Sequence, residues 1–329
     1  KVTTEDGKTT VQIELDYPAK TQGSVIEEMV RAKLVEAGIP ADVKISQNII
    51  AHEVQRGVKV FDSVRNIIAV SSGKGGVGKS TVSANLALAL QQEGAKVGLL
   101  DADVYGPSQP TMLGITDKPY SVDGKTLEPM VAHGLQVASV GVLIDPDQPM
   151  IWRGPLAVSA LQQLLKQTNW KDLDYLIVDM PPGTGDIQLS LSQEVPLTGA
   201  VVVTTPQDIA LMDARKGLVM FEKVNVPILG IIENMATHIC SKCGHEEHIF
   251  GEGGAAKMAA QYGVELLGEL PLDINIRLSM DKGEPIVISD PDSKVAQAYR
   301  EIARKLAVAV SKKNKDYSAK MPSIKVSDT

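Results

Sequence analysis

The chain of 329 residues is 43% hydrophobic and 22% charged and carries a formal net charge of −7, which suits a globular protein with room for one large domain and a smaller one. That acidic balance leaves no electrostatic footprint for nucleic acid, and no apolar run approaches the ~20 residues of a membrane span, so both partner classes are set aside. Two cysteines cannot make a secreted disulfide framework, and no signal-type h-region opens the chain, so a cytoplasmic location is expected.

The chain opens at Lys1 without a methionine, close to a hairpin turn at Glu5-Asp6-Gly7-Lys8, and an upstream piece of the first module is expected to be absent. VQIELDYP (11–18) alternates apolar and polar like a half-buried strand. TQGSVIEEMVRAKLVEAG (21–38) has helical spacing at Val25, Met29 and Val30 and closes on Gly38, and ADVKISQNII reads as another strand. Residues 1–50 therefore read as part of a small α+β module, and the polar, aperiodic stretch 51–66 as a linker. Within it His52, like His133 further on, is expected to be solvated or locally satisfied. From residue 67 the short runs IIAVSS, KVGLLD, LQVASVG, YLIVDM, GAVVVTT and PILGIIE alternate with helical stretches. Continuous apolar strands between helices predict an α/β fold, a mostly parallel sheet covered by helices on both faces. DSKVAQAYREIARKLAVAVSKK closes this domain as a long helix at 313, and a polar tail spans 314–329.

The chemistry begins at IIAVSSGKGGVGKST (67–81), a strand, a glycine-rich loop and a helix start. The segment from Gly73 to Ser80 fits G-x-x-x-x-G-K-[ST], the P-loop of an NTPase. Backbone N–H groups of Gly75, Gly76, Val77, Gly78 and Lys79 can wrap a phosphate there because no side chain blocks them. Lys79 is expected on the β/γ-phosphates and Ser80 on Mg²⁺, with Thr81 beside them. Lys74 is a second lysine at the loop's start and marks the deviant Walker A pattern. KVGLLDAD ends a strand at Asp101 and Asp103, and YLIVDMPPGTGD ends another at Asp179, so three carboxylates stand where parallel sheets bind ligands. Asp179 reads as the Walker B residue, holding Mg²⁺ through water. Asn234, after PILGIIE, is placed either to read an adenine or to form a turn.

HICSKCGH (238–245) holds both cysteines of the chain. Cys240 and Cys243 have the spacing that grips one metal, but a tetrahedral site or an iron–sulfur cluster usually takes four ligands. The missing pair could be His245 and His248 of the same chain, making a zinc site, or two cysteines of a second chain.

Taken together, GKGGVGKST, LLDADVYGPSQPTMLG, WRGP (152–155), DYLIVDMPPGTGDIQL, TTPQDIALMDARKG, ENM and HICSKCGHEEHIFG resemble the Mrp/ApbC family of iron–sulfur cluster carrier ATPases, relatives of the MinD/ParA class. The resemblance implies a homodimer with two ATP molecules near its interface. It also implies a labile [4Fe-4S] cluster on Cys240 and Cys243 of both subunits, received from scaffold proteins and passed to apo recipient proteins. By the same resemblance Lys74 reaches across to the partner's phosphates, Asp103 positions the attacking water, and Asp101 supports the Mg²⁺ shell. The N-terminal module looks like the MIP18-type domain, which commonly carries a cysteine where this chain has Ala19. Two rival functions are a MinD/ParA-like positioning ATPase, which would attach to membrane through the terminal helix, and a zinc-stabilised P-loop ATPase without cluster transfer.

Overall fold

The fold is a computed structural model that describes residues 1–5, 8–55, 58, 60–143, 154–240 and 242–315. The turn residues Asp6 and Gly7, Trp152 and Arg153 of the WRGP motif, and the tail from 316 onward lie outside these described residues.

The N-terminal module is a three-stranded sheet. β1 (Val2–Glu5) and β2 (Lys8–Leu15) pair antiparallel, and β3 (Asp42–Gln47) lies parallel to β2 after the crossover helix α1 (Gly23–Glu36). The helix stands where its spacing predicted, but it packs through Ile26, Val30 and Leu34, while Val25 and Met29 are 46% and 65% exposed. The Glu27 carboxylate accepts the Ile45 N–H of β3 and turns that face inward, and three strands are too narrow to cover the rest.

The large unit begins with β4 (Val64–Ser71), α2 (Lys79–Gln92), β5 (Val97–Asp101), α3 (Gln109–Met112), β6 (Met130–Ala132) and β7 (Leu135–Ser139). It continues through α4 (Gly154–Gln167), β8 (Leu173–Asp179), α5 (Asp186–Glu194), β9 (Gly199–Thr204), α6 (Asp208–Lys223) and β10 (Ile228–Glu233). A short ribbon, β11 (His238–Ile239) and β12 (Glu246–Glu247), precedes α7 (Gly254–Tyr262), β13 (Leu266–Glu269), α8 (Ile274–Asp281), α9 (Ile286–Ser289) and α10 (Lys294–Ser311). The sheet order is β13-β10-β9-β4-β8-β5-β7-β6, parallel throughout except for β6 against β7. That antiparallel edge was not foreseen. Its turn is His133-Gly134, both at positive φ (49° and 83°), the conformation of a two-residue primed turn in which asparagine is the commoner first residue.

Strand alternation divides the core between the two faces. Ile68, Val70, Ile177, Val201 and Val203 pack with α2, α9 and α10, while Ile67, Ala69, Val178, Ala200 and Val202 pack with α4, α5, α6 and α7. Along α10 the buried residues are Ala296, Tyr299, Ile302, Ala303, Leu306, Ala307 and Val310, so its apolar face lies against the sheet. No helix of the described residues is long and apolar enough to cross a membrane.

Within the stretch 51–66 His52 and Gln55 are buried, and residues from Val64 onward belong to β4. His52 is 1% exposed, with its N–H and Nδ1 on the Asn66 side-chain oxygen, and Gln55 bonds the backbone of Ser192 and Leu197. His52 is thus buried with its Nδ1 locally satisfied by Asn66, and His133 is locally satisfied as well, its Nε2 2.9 Å from the Gly283 carbonyl. The N-terminal module is anchored through Glu93, just past α2. Its fully buried carboxylate accepts from the Thr21 N–H and hydroxyl and from Arg304 at 2.6 Å.

Arg304→Ala leaves that carboxylate without its cation. A loss of about 2 kcal/mol is expected, at the low end for a broken buried pair because Arg304 is partly exposed. Thermal melts would show it as a lower Tm, and limited proteolysis as faster cleavage near 50–60. An unchanged melt together with unchanged cleavage would remove Glu93 as the anchor.

Candidate functional site

Three neighbouring strands, β4, β8 and β5, end side by side, and their carboxyl ends carry the loop 72–78, Asp179 and Asp101. The loop is set by its contacts. A Cβ at Gly73 would overlap the backbone of Asp213 and Ala214, so the loop's first turn lies flush on α6. Val77 is buried in the core, Ser72 Oγ donates to the Lys74 carbonyl, and Gly76 and Gly78 both take φ of +81°. Nothing stands within 4 Å of where side chains on Gly75 and Gly76 would lie, which leaves the concavity that an anion needs above the start of α2.

Lys79 is 5% exposed, and its ammonium lies 2.6 Å from Asp179 Oδ1, 3.2 Å from Ser80 Oγ and 3.7 Å from Asp103 Oδ2. Asp179 also accepts from Ser83 Oγ at 2.9 Å and from the Gln109 side-chain amide at 2.8 Å. The Asp101 carboxylate is fully committed: Oδ1 takes the Asp103 N–H, and Oδ2 takes the N–H groups of Ser108 and Gln109 and the Ser139 hydroxyl. Burial first, and then the charge of Asp179, push the Asp101 carboxyl up to about 7. Asp103 Oδ1 accepts from Tyr105 and Gly106, leaving Oδ2 turned toward Lys79. Lys74 stands exposed at the loop's tip.

Asn234 follows β10 and donates its side-chain N–H to the Val77 carbonyl at 2.9 Å. A Cβ on Gly78 would collide with this side chain. Together with Thr81, Met112, Leu272, Ile276 and Arg277 these residues line a cavity of about 230 Å³ beside the loop, the space open to a base.

The structure therefore gathers Lys79, Ser80, Asp101, Asp103 and Asp179 in one place and sets Thr81 and Asn234 beside it. Sequence reasoning missed Gln109, Ser83 and Ser139. Ser83 stands one helical turn after Lys79 and was accessible to that spacing, while Gln109, inside the LLDADVYGPSQPTMLG stretch but assigned no role there, and Ser139 arrive at Asp179 and Asp101 through the tertiary fold. Gln109 also bonds the Ser80 carbonyl at 3.0 Å, tying the metal-ligand candidate to Asp179.

On from Asn234, β11 and β12 present the cysteines at their tip. Cys240 is half-buried and Cys243 exposed. The Cys240 N–H donates to His245 O and the Gly244 N–H to Cys240 O, with Gly244 at φ +72° closing the turn. Backbone N–H groups of Lys242 and Cys243, and then the Cys243 thiol, hold the Cys240 thiol below its ordinary pKa, favouring the thiolate that ligates metal. His238 Nδ1 faces the Leu272 carbonyl, His248 Nδ1 faces the Ala236 carbonyl, and His245 lies beside Glu247. Among the described residues no three His, Cys, Asp or Glu side chains converge as a metal site, so the zinc set of Cys240, Cys243, His245 and His248 is not assembled within one chain.

A lysine-signature phosphate loop on a parallel sheet with carboxylates at the neighbouring strand ends defines a P-loop NTPase. The family described as ParA, NUBPL iron-transfer P-loop NTPase, matches residues 63–307, and the chain belongs to it. The chain is 55% identical over 303 residues to the iron–sulfur cluster carrier protein of Salmonella typhimurium, covering 91% of this chain and 82% of that one. It is 51% identical over 247 residues to the mouse iron–sulfur cluster transfer protein NUBPL, covering 74% and 77%. Among solved structures, the nucleotide-binding protein of Archaeoglobus fulgidus in complex with ADP is 37% identical with a TM-score of 0.62, covering 72% of this chain and 92% of that one. The Pyrococcus furiosus cell-division ATPase MinD shares the fold, with a TM-score of 0.56 at 24% identity over 73% of this chain and 98% of that one.

Gly78→Ala tests the loop geometry, since a methyl group there meets both the positive φ and Asn234. Nucleotide affinity, read by titration with a fluorescent nucleotide, is expected to fall by about tenfold or more, equivalent to the ~1–3 kcal/mol of a strained backbone. Wild-type affinity in a folded variant would show that Asn234 does not press on the loop.

Proposed function

We propose that the chain is an ATP-dependent iron–sulfur cluster carrier that acts as a homodimer. It would hydrolyse ATP to ADP and phosphate and carry one [4Fe-4S] cluster between its subunits, from scaffold proteins to apo recipients. The observation that carries this reading is the placement of a cysteine pair, Cys243 exposed and Cys240 half-buried with its thiol pKa held down, on the chain segment that leaves the nucleotide cavity at Asn234. The names of the relatives point the same way.

In this reading the loop amides and Lys79 bind the β- and γ-phosphates, so Lys79 exchanges the Asp179 carboxylate for phosphate oxygen. Ser80, and Asp179 through water, would hold Mg²⁺, which neutralises phosphate charge when bound; the oxygen set suits a hard cation. Asp101 supports that shell through the segment it holds, because its own oxygens are occupied by donors. Asp103 Oδ2 takes a hydrogen bond from the attacking water. The oxygen of that water bonds to the γ-phosphorus as the bridge to the β-phosphate breaks, leaving ADP and phosphate. Lys74, exposed and unused by its own loop, reaches the phosphates of the partner subunit, and Asn234 reads the adenine. The cluster is cargo, ligated by Cys240 and Cys243 of both subunits, and it moves by exchange of thiolates. A two-fold axis beside the ribbon supplies the four thiolates that one ribbon lacks. The membrane-positioning alternative loses its anchor, because the apolar face of α10 is already buried.

Anaerobic reconstitution is expected to give about four iron and four sulfide per dimer, and Cys240→Ala or Cys243→Ala to abolish this while ATP binding persists. One tightly held zinc per monomer would overturn the cluster assignment. For hydrolysis, Lys79→Ala is expected to lose nucleotide binding, while Asp103→Asn keeps binding and lowers kcat by about a hundredfold, the range of a lost proton acceptor. Unaltered turnover in both variants would sink the nucleotide-site roles.

A further inference from the structure

The cysteine ribbon has nothing of its own to hold it. Among the described residues its strands pair at His238–Glu247 and Ile239–Glu246, the turn beyond is closed by the bonds between Cys240 and His245 and between Gly244 and Cys240, and Ile239 is 50% exposed. A two-stranded ribbon without a packed face is not stable alone, so the position of the thiols is set by whatever tethers the ribbon to the core. Those tethers run to segment 270–273 directly, or, for His248, through Ala236, whose N–H is itself bonded to Leu270. Ala236 N–H donates to Leu270 O at 2.9 Å and Leu272 N–H to Thr237 O at 2.7 Å, both with segment 270–273. His238 lies in a parallel bridge with Leu272, and its ring faces the Leu272 carbonyl at 3.1 Å. From the far side of the ribbon, His248 reaches back to the Ala236 carbonyl, also at 3.1 Å. Because a carbonyl only accepts, each imidazole carries its proton on Nδ1 and donates it.

Segment 270–273 is at the same time a wall of the nucleotide cavity. Pro271, Leu272 and Asp273 line that cavity with Gly78 and Asn234, and Pro271 and Asp273 turn their other side to a cleft of about 620 Å³ bounded by His238 and Ile239. At the start of the connection Asn234 is bonded to the Val77 carbonyl of the phosphate loop, and the next residue, Met235, is held at φ +59°, a conformation that costs a non-glycine residue energy. Between the loop carbonyl and Cys240 every step is therefore a hydrogen bond or a constrained backbone.

We propose that His238 and His248 are positioning residues that latch the cysteine ribbon to the wall of the nucleotide cavity, so that nucleotide occupancy sets the position and reactivity of Cys240 and Cys243. The inference rests on the cluster-carrier reading, which assigns those thiols their cargo, but its test needs no cluster. Neither imidazole touches phosphate or thiolate; both act through the backbone they hold. Without the imidazoles the ribbon would still fold and keep the main-chain bonds of Ala236 and Thr237 to segment 270–273, but the part beyond Thr237 that carries the thiols would lose the contacts that fix it.

The full-length, cluster-free protein is alkylated with iodoacetamide in the presence and absence of saturating Mg-ADP, and the rates at Cys240 and Cys243 are read by mass spectrometry. In the wild type the rate is expected to change severalfold on nucleotide binding. His238→Ala and His248→Ala are expected to bind nucleotide normally but to bring the ratio of the two rates close to unity. His238→Asn and His248→Asn, whose side-chain N–H can replace the Nδ1 donor, are expected to restore most of the difference, which a merely destabilised ribbon would not do. Should an alanine variant lose nucleotide binding, His238→Leu or His248→Leu, with a bulk nearer that of imidazole and no donor, decides in its place. Retention of the wild-type ratio in the donor-less variants overturns the latch, and so does a wild type that binds nucleotide with no change in rate. Failure of the cluster-carrier reading would instead appear as absent iron and sulfide after reconstitution of the wild type, with the labelling ratios unaffected.

Discussion

A buried ammonium must have an anion beside it, and the architecture of the nucleotide site follows from the one that Lys79 has found. With 5% of its surface exposed, Lys79 would cost several kcal/mol to hold unpaired, and Asp179 meets it at 2.6 Å. The pair exists because β8 runs beside β4, so that the end of one strand and the helix following the other converge. Ser83 and Gln109 then fix the carboxylate, and Gln109 in turn requires the segment after β5, which Asp101 holds by the three N–H groups of Asp103, Ser108 and Gln109. In the proposed reading, phosphate binding would be an exchange of anions on one lysine, and the affinity for nucleotide would be the difference between two strong interactions.

The same exchange explains why the site calls for a divalent cation. Asp101, Asp103 and Asp179 lie around a single buried positive charge. Already Asp101 is pushed up to about 7 by burial and by Asp179, against the four donors that favour its ionised form. A carboxyl raised in the folded state contributes stability that is present below the ordinary carboxylate range and is lost as pH rises toward 7. Near neutrality the site thus stores like-charge repulsion. When Lys79 turns to phosphate the carboxylates lose their cation, while the incoming triphosphate adds further negative charge. A hard cation held by Ser80, and by Asp179 through water, as proposed, would offset both and so couple metal and nucleotide more tightly than either contact alone.

Much of this was legible before any coordinates, because the parts are local. The strand, loop and helix of 64–92 are contiguous, and the three aspartates announce themselves as the first charges after apolar runs. The sheet's parallel character follows from strands that are apolar on both faces. What escaped is what distant segments bring. Gln109 reaches Asp179 across 70 residues and Ser139 reaches Asp101 across 38, and neither belongs to a recurring spacing. Val25 and Met29 share the helical period of a core face, yet α1 turns another side inward, because Glu27 finds a backbone partner in β3. His52 stands in a polar, aperiodic stretch, and its burial comes from Asn66 on the first strand of the sheet.

The two functional parts of the molecule differ in how they are held, and that difference suits the work proposed for them. The base of the phosphate loop is pressed between α6, Asn234 and the core, through Gly73, Gly78 and Val77, so its geometry is largely fixed before ligand arrives and little order is lost on binding. The cysteine ribbon lies in solvent and is held by hydrogen bonds to a single segment, so its own local stability is low. A tightly packed cage around the thiols would favour permanent retention of a metal, as structural zinc sites do. A weakly held pair, completed in the proposed dimer by the pair of a second subunit, would instead make cluster affinity depend on the separation of the subunits. Rigidity at the nucleotide and looseness at the thiols then allow a small change at the first to become a large change in affinity at the second.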